Sequence, residues 1–151
     1  FRINELKPWL TIIRDGMWEN IGLPPISSLD WPTLEYAACG EREITFEALR
    51  KVTKFEGLDK KQEDIFIKVI ETLTSEQRSL LLRFTTGRIR LPPNLDGDEC
   101  FIRIDSTGGV DIMPTASTCF HQLHLPSYTS FEKAFKLITI AIEYTGTIEL
   151  H

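Results

Sequence analysis

The sequence predicts an α+β fold, with helices packed on a small mixed or open sheet, and three observations carry that expectation. Apolar residues recur at helical spacing through much of residues 5–85. A β-prone, alternating run follows between Cys100 and Leu125, and the chain closes on a strongly periodic stretch whose Phe131, Phe135, Ile138 and Ile142 recur at four, three and four. With 151 residues and 42% hydrophobic content the chain can bury a core, and its length suits one domain with at most a small second piece.

Taken in order, Leu6, Trp9, Leu10 and Ile13 predict a helix over residues 5–17, with Pro8 tolerable only in a first turn. Leu23, Pro24, Pro25 and Ile26 break that pattern. A short helix from Pro32 to Ala38 follows, with Asp30 as its N-cap and Gly40 as its C-cap. Glu41, Arg42 and Glu43 then form an exposed connector, the best domain boundary in the sequence. Thr45 to Val52 reads as a short helix with Phe46 and Leu49 inward, and Gly57 falls in the loop after it. Leu58, Ile65, Val69, Ile70 and Leu73 mark one face of the next helix. Thr74 to Gln77 has the form of a capping box and opens a helix to Thr85 carrying Leu80, Leu81 and Phe84, with Gly87 placed to end it.

Pro92 to Asp98 is loop. The strand signals after it are Cys100 to Asp105, a hairpin-type turn at Gly108-Gly109, a short strand Val110 to Met113, and a strand Phe120 to Leu125 closed by Pro126. Thr129 to Glu132 reads as a second capping box, opening the last helix.

Composition excludes more than it assigns. A formal charge of −5 and a pI near 5.2 argue against a nucleic-acid surface, where basic residues supply most of the binding energy. No apolar run approaches the roughly 18 residues that span a bilayer, and no signal peptide is evident, so the expected compartment is cytoplasm or nucleus. Cys39, Cys100 and Cys119 are too few and too widely spaced for a disulfide framework and read as reduced thiols. The chain opens at Phe1 rather than methionine, and the expectation is a fragment cut upstream that keeps its C-terminus.

Cys119 is the candidate for chemistry. Two readings stand on its local sequence. Strand parity puts it with Leu123 and Leu125, as a small core residue, if the strand extends that far back. The small, polar, turn-forming run Pro114 to Thr118 instead leaves the sulfur accessible on a loop, where even a minor thiolate fraction is strongly nucleophilic. His121 and His124 invite a zinc or Cys-His reading, but on a strand they point to opposite sides, which makes them partly exposed strand histidines and no metal site. A papain-like arrangement needs a distant histidine and its orienting residue, which the sequence leaves open. Asp96, Asp98 and Glu99 lack EF-hand spacing and read as a solvated turn.

Several ordered motifs around Cys119 resemble those of HECT-type ubiquitin ligases: Thr118-Cys119-Phe120, Leu123-His124-Leu125-Pro126, Tyr128-Thr129-Ser130 and Ala141-Ile142. Upstream, residues 75–92 resemble the family's helix ending in Phe-x-Thr-Gly, and residues 34–57 its inter-lobe passage. The resemblance implies a C-lobe-like fold, with about four short strands packed with helices and preceded by a short helical remnant of the N-lobe. It places residues 1–40 at the end of the N-lobe, Glu41, Arg42 and Glu43 at the inter-lobe hinge, and residues 44–151 in the C-lobe.

By the same resemblance Cys119 accepts ubiquitin from a ubiquitin-conjugating enzyme as a thioester and passes it to a substrate lysine, with Ser117, Thr118 and Phe120 as the supporting loop. The implied partners are ubiquitin, the conjugating enzyme, engaged through the N-lobe, and a protein substrate; no cofactor is implied. Two departures stand out. Ser117 replaces the family's histidine, and Ile148 replaces the phenylalanine that many members carry fourth from the end. Glu149 is either a solvated tail residue or a group that orients or deprotonates the incoming lysine. The alternatives are a cysteine hydrolase acting on ubiquitin or peptide, and a non-catalytic binding lobe in which Cys119 merely packs.

Overall fold

A computed structural model describes residues 2–21, 28–93 and 101–148. The chain divides into two compact units, Phe1–Ala38 and Cys39–His151. In the first, α1 spans Arg2–Ile21, beyond the expected 5–17, and Pro8 lies inside it rather than in its first turn. The cost is the backbone bond that a residue at position 8 would have donated to Asn4. Helix α2, Trp31–Cys39, is capped by Asp30, whose Oδ1 accepts from the Thr33 amide at 3.1 Å.

The second unit carries the sheet. Gly40, at φ 84°, is buried against Leu91, and the Glu41 amide donates to the Leu91 carbonyl at 3.2 Å. The division of the chain therefore lies just upstream of the connector expected at Glu41, Arg42 and Glu43, whose side chains are exposed. Helix α3 (Phe46–Lys51) is capped by Thr45 and helix α4 (Lys60–Thr72) by Asp59. Helix α5 (Ser75–Thr86) begins with the capping box of Thr74 and Gln77 and ends at Gly87 in the left-handed conformation, both as the sequence indicates.

Four strands form one mixed sheet: β1 (Thr53–Glu56), β2 (Ile102–Val110), β3 (Thr115–Ser117) and β4 (Gln122–Ser127), in the order β1-β2-β4-β3. β1 and β4 run parallel to β2, and β3 runs antiparallel to β4. Thr53, Phe55, Ile102, Ile104, Ala116, Leu123 and Leu125 share one face by strand parity and turn toward the helices. There they meet Leu49, Val69, Ile70, Leu82 and, from α6 (Phe131–Ile148), Ile138 and Ile142, all fully buried.

The expected hairpin at Gly108-Gly109 does not form. β2 continues through both glycines as one strand, held by its pairing to β4, and a register shift between Ser106 and Val110 absorbs them as an irregularity, with Gly109 at φ 107°. The direction instead changes after β2, where Asp111 takes φ 53°. β3 occupies part of the run read as loop, β4 starts at Gln122 rather than Phe120, and β1 falls where no strand was expected. The last helix is capped by Ser130, which accepts from the Lys133 amide at 3.4 Å, and not by Thr129. Thr129 is held elsewhere, its amide and hydroxyl both donating to the Asp111 carboxylate at 2.9 and 2.8 Å. Lys133 completes that clasp at 2.5 Å. No described helix is long and apolar enough to cross a membrane.

Candidate functional site

Cys119 sits at the tip of the β3–β4 hairpin. Ser117 pairs with Gln122, so only residues 118–121 lie between the strands. A single 3₁₀ turn, Thr118–Phe120, fills that gap, and His121 closes it at φ 51°, ψ 45°. Left-handed backbone is costly for most side-chain-bearing residues but tolerated by histidine more than by β-branched types. His121 carries three tethers: its amide donates to the Thr118 carbonyl at 3.3 Å, its carbonyl accepts from the Arg103 amide at 2.9 Å, and its ring lies 4.6 Å from that of Phe101. Helix α5 packs against both the turn and β3.

This geometry decides between the two readings of Cys119. The strand does not extend back to it, so parity with Leu123 and Leu125 is broken at the turn, and the thiol is exposed while both leucines are buried. Thr118 is exposed, and Phe120 is 74% exposed, an orientation no core packing explains. A side chain on a short, tethered turn has little conformational freedom to lose on meeting another molecule.

Ser117 is half-buried and belongs to a second cluster on the sheet face opposite the core. Strand parity puts Thr115, Ser117, Gln122, His124, Arg103 and Asp105 on that face. There Ser117 Oγ lies 3.0 Å from His124 Nε2, and His124 Nδ1 lies 2.6 Å from Asp105 Oδ1. Gln122 Nε2 donates to the other Asp105 oxygen at 2.9 Å. With the Nδ1 proton directed at the carboxylate, neutral His124 presents Nε2 as an acceptor to the Ser117 hydroxyl.

The sequence reading set His124 apart from Cys119 but found neither Asp105 nor Gln122 as its partners. Alternation on each strand marks these residues as outward; the register that brings Asp105 opposite His124 joins two strands of different origin, and no local signal encodes it. His121 is tethered in the turn and His124 bonded to Ser117 and Asp105, and among the described residues no group of three or more His, Cys, Asp or Glu is placed to hold a metal. Cys100, Asp96, Asp98, Glu99 and Glu149 lie outside the described residues, and Ile148 is the last residue of α6.

At the end of β4 away from the turn, where the Asp111 amide donates to the Ser127 carbonyl, the hydrogen bond from Lys133 and the amide of Thr129 hold the Asp111 carboxyl down to about 2. Burial pushes the Tyr128 hydroxyl upward, with the Asp111 charge adding to it.

Comparison with known proteins bears on the whole chain. The chain is 34% identical over 87% of its length to E3 ubiquitin-protein ligase RSP5 of Chaetomium thermophilum, 31% over 95% to E3 ubiquitin-protein ligase NEDD4 of Mus musculus, and 29% over 99% to E3 ubiquitin-protein ligase HERC2 of Homo sapiens. It spans 17% of the length of the first two and 3% of the third. The family model described as HECT-domain (ubiquitin-transferase) matches residues 1–151. With its motifs and mixed fold in agreement with a family model that matches its full length, this chain belongs to the HECT-domain (ubiquitin-transferase) family.

Proposed function

We propose that Cys119 carries ubiquitin as a thioester, taking it from a ubiquitin-conjugating enzyme and passing it to a substrate lysine. The observation that carries this reading is the exposure of Cys119 on a turn fastened at both ends. In the first step the Cys119 thiolate attacks the donor thioester, forming one C–S bond as the donor's breaks. In the second, a lysine amine attacks the Cys119 thioester, a C–N bond replaces the C–S bond, and the sulfur leaves with the electron pair. Exchange between thioesters is nearly balanced in energy, whereas the amide is more stable, so the second step draws the first forward. The remaining demand is positioning of the reacting centres.

Residues 1–40 correspond to the end of the larger lobe, Glu41, Arg42 and Glu43 to the connector, and residues 44–151 to the catalytic lobe. The separation of the chain at Ala38 and Cys39 supports this division. The conjugating enzyme engages the larger lobe, upstream of most of this chain. Ile148, the last residue of α6, supports transfer to lysine more than it supports thioester formation.

The test uses full-length protein with a ubiquitin-charged conjugating enzyme, followed on non-reducing gels. A thiol-sensitive ubiquitin adduct forms, and Cys119→Ala eliminates it. An adduct unchanged by Cys119→Ala sinks the proposal. Release of free ubiquitin to water without modified lysine, through an intact Cys119, favours the hydrolase instead.

A further inference from the structure

We propose that Ser117, His124 and Asp105 form a relay that takes up the proton released when lysine attacks the Cys119 thioester. The inference rests on the thioester reading above and extends it to three residues that reading does not use. Ser117 is the last residue of β3, two positions before Cys119, so its hydroxyl ends the hydrogen-bonded chain at the base of the reactive turn. His124 brings an imidazole to it from the neighbouring strand.

The order of groups is that of a hydroxyl–imidazole–carboxylate relay: Oγ to Nε2 at 3.0 Å, then Nδ1 to carboxylate at 2.6 Å. Gln122 fixes the second carboxylate oxygen and so the plane of the acceptor. Stability does not require such a chain. Its histidine and aspartate side chains are about a quarter exposed, at 26% and 28%, and hydrogen bonds there contribute little that water could not replace.

The protons balance as follows. The neutral amine attacks the thioester carbonyl and a C–N bond forms. A proton leaves nitrogen for Ser117 Oγ while the Ser117 proton passes to His124 Nε2. The C–S bond breaks with its electron pair on Sγ, and the imidazolium, stabilised by Asp105, returns its proton to the sulfur or to solvent. Asp105 and His124 are positioning residues that act through Ser117. The other charged groups sharing this sheet face are Lys54 and Glu56 on β1 and Arg103 on β2, while β3 adds only Thr115 and Ser117. In the turn, the His121 ring lies tilted at 55° against that of Phe101. Behind β4, helix α5 presents Leu81 and Thr85 beside Leu123, and neither titrates.

The experiment is single-turnover discharge of full-length protein, charged with ubiquitin at Cys119, to free lysine between pH 6 and 8. His124→Gln keeps hydrogen-bonding capacity but cannot accept the proton, so discharge falls by at least about 10-fold relative to charging. The ratio of wild-type to variant rates cancels the titration of lysine itself, so the loss read is that of the relay. Ser117→Ala shows the same loss and Ser117→Thr, which restores a hydroxyl, recovers most of it. Should His124→Gln fail to fold, Ser117→Ala and Ser117→Thr decide the matter alone. A wild-type discharge rate in His124→Gln or Ser117→Ala overturns the relay and leaves the thioester reading standing; equal losses in charging and discharge overturn it as well. Failure of wild-type protein to form any Cys119 adduct overturns both.

Discussion

Ile104, Leu123 and Leu125 turn inward from the strands that turn Asp105, Gln122 and His124 outward, and the two faces obey different rules. On the inner face the side chains are almost wholly removed from water, and what matters is volume and apolar area. The outer face is half-exposed and ordered by directed hydrogen bonds whose net contribution to folding is small. A single residue step along β4, from Leu123 to His124, crosses from one rule to the other. The same backbone thus separates what keeps the unit folded from what the proposed chemistry uses.

The sharpest way to break this comparison is to cut the same strand on each face. Leu123→Ala removes a fully buried side chain and should cost about 3 kcal/mol of unfolding free energy. His124→Gln, one residue on, should cost less than about 1 kcal/mol. Denaturant titration of both variants checks this, and equal costs would mean that the outer network is structural after all. A second test leaves the sheet for the entry to the unit. A Cβ on Gly40 would stand 1.9 Å from the Leu91 carbonyl oxygen, at a φ of 84° that side chains rarely adopt, so Gly40→Ala should cost about 2 kcal/mol or more. A stability within about 0.5 kcal/mol of wild type would show that the connector yields without loosening the core.

The smallest expected effect sharpens the electrostatic side. The Asp111 carboxyl titrates at about 2 rather than 3.8, so its clasp on Thr129 and Lys133 adds stability that is present above about pH 4 and lost as pH falls through about 2. Asp111→Asn keeps a residue suited to positive φ but gives up the charge. The melting temperature of wild type should exceed that of the variant above pH 4 and converge on it toward pH 2. A constant gap across that window would count against the charge as the source of the clasp.

Much of the helical half was legible because its signals are local. The Thr74–Gln77 capping box, the Gly87 terminus and the Asp30 cap each depend on neighbours within four residues, and each forms as read. The sheet was less legible because two of its three pairings join strands far apart in the chain. Gly108-Gly109 has the local form of a turn, but pairing of Ser106 and Val110 with β4 on either side of it holds it extended. Thr53–Glu56 is too short to announce itself beside a helix and becomes a strand only through Ile102–Asp105. At the site, Cys119 was identified by motif, its exposure was left undecided, and the Asp105–His124–Ser117 chain was missed for the same reason as the sheet register.

The turn that carries Cys119 has one further consequence. Four residues held between paired strands, with His121 fastened at amide, carbonyl and ring, have few ways to reshape themselves around an incoming molecule. The sulfur has a fixed bearing, and its reach is that of a short post rather than a flexible arm. A carbonyl recessed in its own protein would stay beyond it, whereas one at the end of an extended, protruding tail could be brought to it. Selection among acyl donors would then begin with shape, before any side chain of the donor is read.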